Sequence, residues 1–126
     1  KVNFSKIKIE NFLMINAMII KKILKTYIRK NITIKRPNDL LIENKKICGI
    51  LQEVVESNND KFLITGIGIN TRIAPSDKKI ISTCINEHTN KIIKNSNIIK
   101  NIKNSYEKMI KDLNNNNFTY IKNKYI

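Results

Sequence analysis

Glycine is nearly absent. Three glycines occur in 126 residues, at positions 49, 66 and 68, and none lies elsewhere. Turns must therefore be made by other residues, chiefly Asn, which tolerates positive φ. Cysteine is scarce too. Cys48 and Cys84 are too few for a disulfide framework, and neither has a CxxC partner. Cys48 lies in an apolar run, where it reads as a small buried hydrophobe and not a nucleophile. The single histidine, His88, has no metal-ligand spacing around it. A structural zinc site, which needs about four Cys or His ligands, is therefore not supported. No apolar run reaches the ~18 residues of a membrane-spanning helix. The basic N-terminus leads into an apolar stretch that ends at Lys21-Lys22 without a small-residue cleavage site, which argues against a secretory signal. These absences together predict a reducing, cytoplasmic compartment and no membrane partner.

Arginine is the last scarcity: only Arg29, Arg36 and Arg72 occur, although the net charge is +14. A basic chain invites a nucleic-acid reading. Surfaces that read phosphate favour the bidentate guanidinium, and here the lysines are spread along the chain. The abundance of Lys, Asn and Ile reads as a drift of the whole composition. A non-enzymatic nucleic-acid-binding module is thus an alternative that the dispersed charge disfavours. What is plentiful is aliphatic: 41% of residues are hydrophobic, enough for the core of one domain or most of one.

Periodicity predicts a helix over 10–30, with Leu13, Ala17, Ile20, Leu24 and Tyr27 as its apolar stripe. Short strands follow over 32–35 and 40–42. A turn at Glu43-Asn44-Lys45 leads to a strand over 46–55, and a turn over 57–60 to a strand over 61–70, making an antiparallel meander. Apolar residues on both parities predict that the 46–55 strand is central and covered on both faces. Short helical turns over 78–93, a helix over 97–114 and a final short helix over 118–126 complete an α+β layer, a largely antiparallel sheet with helices packed on one face. On α-helical spacing, Ile98, Ile99, Ile102, Tyr106, Met109, Ile110 and Leu113 form the apolar face of the penultimate helix. The chain opens at Lys1 with a β-like stretch to Ile9 that has no partner beside it, which predicts a piece of a longer protein.

Two blocks hold the polar chemistry. Pro37 fixes φ and aims Asn38 and Asp39, seven residues before Lys46. A plain turn after proline accounts for the residue types but not for that register. Lys46 reads either as a solvated strand-end lysine or as a fixed cation. Gly66 and Gly68 share one strand face by the period of two, and Asn70 points to the same side. Glycine inside a strand marks close approach of a ligand or of another backbone. Tight helix–sheet packing is the rival explanation. Gly-Ile-Gly-Ile-Asn is no dinucleotide fingerprint, since it lacks a third glycine and no helix follows it directly.

Lys-x-Pro-Asn-Asp-Leu, then Lys-Ile-x-Gly-Ile-Leu-x-Glu, then Gly-Ile-Gly-Ile-Asn, in that order and at these separations, resembles the central part of biotin–protein ligases (biotin–[acetyl-CoA-carboxylase] ligases). The resemblance runs from about Phe4 to the end and is dense from Lys35 to Asn70. It implies a partial class II synthetase-like catalytic domain over 1–126. It also implies ATP-dependent formation of biotinyl-5′-adenylate, then transfer of biotin to a lysine of a biotin carboxyl carrier protein. Biotin and ATP are the implied substrates, with magnesium as accompanying ion. By the same resemblance Lys46 and Asp39 are catalytic. Lys46, Gly49 and Gly66 contact biotin, while Asn38, Gly68 and Asn70 contact the adenylate. Asp39 is also the implied magnesium ligand. The family's Gly/Arg-rich phosphate loop belongs before Lys1 and its C-terminal cap lies beyond this chain, so the segment alone is expected to hold half a site and to be inactive by itself. Family members often pair through their sheets, which makes a homodimer a further expectation. Arg36 stands where these ligases usually have Trp, replacing an aromatic wall near the nucleotide by a charge. Lipoate–protein ligase is the alternative with the same fold and a similar Asn-Asp…Lys-x-x-Gly arrangement. It does not usually carry Gly-Ile-Gly-Ile-Asn, and that block favours biotin.

Overall fold

The computed structural model describes residues 7–126. The first six residues of the extended start expected over 1–9 lie outside the described residues. Ile9 is already helical, so the expected strand does not reach it.

Helix α1 spans Ile9–Leu24. It buries more than the single stripe expected from spacing. Phe12, Ile15, Ile19 and Ile23 are buried as well as Ala17, Ile20 and Leu24. The reason is its position between two layers, with the sheet on one side and the later helices on the other. Each of the larger side chains, Phe, Ile or Leu, contributes roughly 1.5–3 kcal/mol when removed from water. The helix stops six residues before the expected end. The Thr26 hydroxyl donates to the Ile23 carbonyl at 2.7 Å, and the Lys25 ammonium donates to the carbonyls of Arg29 and Lys30. Ile28 and Ile32 then drop into the core.

Strands β1 (Thr33–Lys35), β2 (Asp39–Ile42), β3 (Lys45–Ser57) and β4 (Asp60–Ile69) form one antiparallel sheet in the order β1-β2-β3-β4. The expected meander is present. Its two tight turns are made by Glu43-Asn44 and Asn58-Asn59, all four at positive φ between 49° and 64°, which suits the twist of two-residue hairpins. No described glycine has positive φ. Cover over β3 is less complete than the apolar run suggested. Ile47, Cys48 and Ile50 are buried, but Leu51 is 72% exposed and Glu53 to Ser57 lie in solvent.

A short 3-10 helix, Ile85–Glu87, precedes α2 (Asn95–Asn115) and α3 (Phe118–Tyr125). Both pack on α1. Of the expected apolar face of α2, Ile98 and Met109 are buried and Ile102, Tyr106 and Leu113 half-buried. Ile99 and Ile110 instead face solvent, at 66% and 51% exposure. A polar thread crosses the layers. The Tyr106 hydroxyl of α2 donates to Asn16 Oδ1 of α1 at 2.8 Å, and Asn16 Nδ2 donates to Thr65 Oγ1 of β4 at 3.4 Å. No helix among the described residues is long and apolar enough to cross a membrane.

Candidate functional site

Strand register builds the site. Leu41 pairs with Lys46, whereas Leu40 pairs with Cys48, so Ile47 is an extra residue that bulges out of the ladder. An unbroken strand would send residues 46 and 49 to opposite faces. The bulge puts Lys46 and Gly49 on the same face, the one shared by Asp39 and Leu41. Asp39 pairs with Gly49, and Gly49 pairs with Gly68. A row Asp39–Gly49–Gly68 thus runs across three strands, on the face turned away from α1. Gly66 stands two residues along β4, opposite Leu51.

The Lys46 ammonium lies 2.7 Å from Asp39 Oδ1, in a pair whose side chains are 29% and 23% exposed. It also leans over Gly49. A Cβ built on Gly49 would meet Lys46 Cε and Nζ at 3.1 Å and Asp39 Oδ1 at 3.6 Å. Gly49 therefore leaves room for the lysine side chain itself. The counterpart on Gly68 would meet only the Gly49 carbonyl oxygen at 3.8 Å, and on Gly66 only Leu51 atoms at 3.8–3.9 Å. Among the described residues the nearest atoms to a Cβ at each of the three glycines belong to strands, which speaks against helix–sheet packing as their explanation.

Lys46, Gly49, Gly68 and Asn70 line a cavity of about 390 Å³ together with Cys48 and Ile69. Its other wall is the loop after β4, through Pro75, Asp77, Ile80 and Ser82. Sequence reasoning missed this wall, because 71–82 carries no periodicity and no motif. Asn38 and Gly66 do not line the cavity. The Asn38 carbonyl accepts the Ile50 amide at 2.9 Å, in the turn entered through the cis Arg36-Pro37 bond, and Arg36 is exposed. Asn70 does more than face the site. Its side-chain amide donates to the carbonyls of Lys46 (3.3 Å) and Thr83 (3.0 Å), which ties the loop to the start of β3.

Electrostatically the site is one cation and its carboxylate partner beside a concave, partly apolar wall. Burial pushes the Cys48 thiol up to about 12, so it is a packed hydrophobe. Cys84 is also a buried free thiol, and its Sγ donates to the Arg72 carbonyl at 3.2 Å. Among the described residues no group of three or more His, Cys, Asp or Glu could hold a metal ion. A larger cleft, about 560 Å³, lies between α1, α2 and α3 and includes none of the motif residues.

Over 94 residues the chain is 37% identical to the bifunctional ligase/repressor BirA of Bacillus subtilis and 36% identical to that of Bacillus spizizenii. These matches cover 71% of the chain but only 29% of either relative. Among solved structures, the apo biotin protein ligase of Aquifex aeolicus superposes with a TM-score of 0.75 at 24% identity, over 98% of this chain and 56% of that one. The same enzyme in complex with biotin and ATP gives 0.74, and the Leishmania major ligase in complex with biotinyl-5-AMP gives 0.68 at 20% identity. At such identities the likeness is one of fold, and it matches the antiparallel sheet with helices on one face. Residues 4–70, over half of the chain, match the biotin/lipoate A/B protein ligase family. The chain, with its Pro-Asn-Asp turn, its Lys46–Asp39 pair and its glycine row, belongs to that family.

Proposed function

We propose that the whole protein activates biotin with ATP as biotinyl-5′-adenylate and then transfers biotin to a lysine of a carboxylase carrier protein. The observation that carries this reading is the Lys46 ammonium, held by Asp39 over Gly49 in the lining of a cavity. The solved structures bearing the name biotin protein ligase support biotin over lipoate. In the first step a biotin carboxylate oxygen attacks the α-phosphorus of ATP. The bond to the bridging oxygen breaks and pyrophosphate leaves. Negative charge gathers between carboxylate and phosphate, and a preorganised cation there stabilises the transition state. Lys46 supplies it. Asp39 fixes the direction of the ammonium and, in the second step, accepts the proton that the acceptor lysine loses as its nitrogen attacks the carbonyl and AMP departs.

Gly49 makes room for the Lys46 ammonium that meets the biotin carboxylate, Gly66 is assigned to biotin farther along β4, outside the cavity, and Gly68, Asn38 and Asn70 are assigned to the adenylate. Where ATP carries magnesium, Asp39 would be the carboxylate nearest to hold it, and the ion would neutralise phosphate charge; phosphate-bound magnesium needs only one or two protein carboxylates. The phosphate-binding loop and the cap are assigned to the part of the protein outside this chain, which spans 29% of its Bacillus relatives and 53–56% of the Aquifex structures. A reducing, cytoplasmic setting fits two buried free thiols, and pairing of two copies through their sheets belongs to the same reading.

The test is biotin-dependent exchange of pyrophosphate into ATP by the full-length protein. Lys46→Ala should slow it by orders of magnitude. Lys45→Ala should do little, because Lys45 is exposed at the strand end and does not line the cavity. Equal losses from the two changes would remove the assignment.

A further inference from the structure

The loop between β4 and the 3-10 helix walls the cavity, and it is closed at its base. The amides of Ile85 and Asn86 donate to the carbonyls of Asn70 and Thr71 at 3.0 and 3.1 Å. On the return side, Lys46 N–H donates to the Ile81 carbonyl and the Lys46 carbonyl accepts from Thr83 N–H, both at 2.9 Å. Lys46 is therefore held by the loop through its main chain on both sides, as a parallel bridge to Ser82.

Thr83 is fully buried although polar. Its hydroxyl has two partners, the Glu87 carboxylate and, at 2.7 Å, His88 Nε2. The one hydroxyl proton goes to the carboxylate, so His88 must donate from Nε2, which leaves Nδ1 bare of hydrogen. Nδ1 is buried with no partner among the described residues, as a neutral ring in that tautomer allows. Burial together with the charge of Lys30 lowers the pKa of the ring, against the opposing charges of Glu87 and Glu43, with Lys45 adding to the lowering. This hydrogen-bonded chain, His88 to Thr83 to Glu87, ties three side chains together. Nothing in the chemistry assigned to the site uses them.

We infer that Thr83, Glu87 and His88 are positioning residues, which lock the base of the loop so that its Ile81–Thr83 stretch holds the main chain of Lys46, and with it the ammonium, in place over Gly49. This rests on the reading of Lys46 as the cation of biotin activation. The cluster touches no substrate and acts only through Lys46.

The test uses Thr83→Val, nearly isosteric and without the hydroxyl, and Thr83→Ser, which keeps it, both in the full-length protein. Thr83→Val should lower kcat of biotin-dependent pyrophosphate exchange about tenfold, the scale of a sub-ångström misplacement, and Thr83→Ser should restore it to within about twofold. Amide hydrogen exchange supplies the second readout. In Thr83→Val the Lys46 amide, bonded to Ile81, should lose protection while the Ile50 amide, bonded to Asn38 in the same sheet, keeps it. Wild-type kcat in Thr83→Val overturns the inference. So does equal loss of protection at Lys46 and Ile50, which would make the cluster a general fold element. If the wild-type protein shows no biotin-dependent exchange, the functional reading fails, and selective loss at the Lys46 amide still supports the loop anchor.

Discussion

Replacing Gly49 by alanine tests how tightly the Lys46 ammonium is placed. The new methyl would stand 3.1 Å from Lys46 Cε and Nζ and 3.6 Å from Asp39 Oδ1. Carbon and nitrogen in ordinary contact sit at roughly 3.5–4.0 Å, so the lysine must retreat by about half an ångström. Its stem can rotate, and a side chain ~30° off its rotamer loses roughly 0.5–1.5 kcal/mol. The backbone imposes no penalty, because Gly49 is not at positive φ, and alanine restricts the unfolded chain by about 0.4–1 kcal/mol in favour of folding. The two effects nearly cancel, and the melting temperature should hardly move. Catalysis has no such compensation. A cation displaced by half an ångström from a developing charge should slow biotin-dependent pyrophosphate exchange by about tenfold or more, given that ~1 Å costs about a hundredfold. The assay is steady-state exchange beside a thermal melt. An unchanged exchange rate with unchanged melting would refute the idea that Gly49 is glycine to make room for Lys46. A large loss of stability with the residual folded protein fully active would refute it too.

Gly66→Val should weaken biotin binding by roughly one to two decades while lowering stability little, on the overpacking scale of about 1–3 kcal/mol. Calorimetric titration beside a melt checks it, and intact affinity with a lowered melting temperature would detach Gly66 from the pocket. Tyr106→Phe should cost about 1–2 kcal/mol in urea unfolding, since it strips Asn16 Oδ1 of its donor inside the layers. An equal stability of the two proteins would mean that water replaces the hydroxyl. Stability should also fall in mild acid through His88, whose folded pKa is lowered from 6.5. The unfolded chain then binds the proton more readily, so this contribution is complete above about pH 6.5 and is lost as the pH falls through the lowered folded value. The exposed carboxylates Glu43 and Glu87, lowered from 4.5 by Lys30 and by Thr83 respectively, act in a separate window below that. His88→Gln should flatten the upper window, as read by urea midpoints across pH.

The elements with strong period were legible in the sequence: α1, the meander and α2 lie where spacing put them, because each presents an apolar face to a core that exists. Boundaries failed where a local polar contact outranked periodicity, as where Thr26 and Lys25 end α1 early. Exposure failed for Ile99 and Ile110, since helical spacing says which residues share a face but not how wide the covering layer is. The site was half legible. Asp39, Lys46, Gly49 and Gly68 are brought together as the motifs implied. The Ile47 bulge that aligns them leaves no mark in the composition, and an unbroken alternation would have separated Lys46 from Gly49. The Thr83–Glu87–His88 cluster could have been suspected from a lone histidine five residues past a cysteine-flanked threonine only if the fold around it were already known.

The distribution of glycine explains why so few residues carry so much of the argument. Four described residues other than glycine occupy positive φ, and three of them are Asn. A left-handed conformation costs an ordinary L-residue about 1–2 kcal/mol, and Asn recovers part of this through local hydrogen bonds. Turns therefore tolerate the loss of glycine in a chain drifting towards Lys, Asn and Ile. A site that needs space has no such substitute. Every other residue carries a Cβ, and at position 49 that atom would fall on the lysine and at 68 on the open floor of the cavity. At positions 49 and 68 glycine stands where the requirement is volume, and in the turns it is replaced where the requirement is conformation. That is why the two glycine-bearing blocks mark the site and the hairpin turns do not.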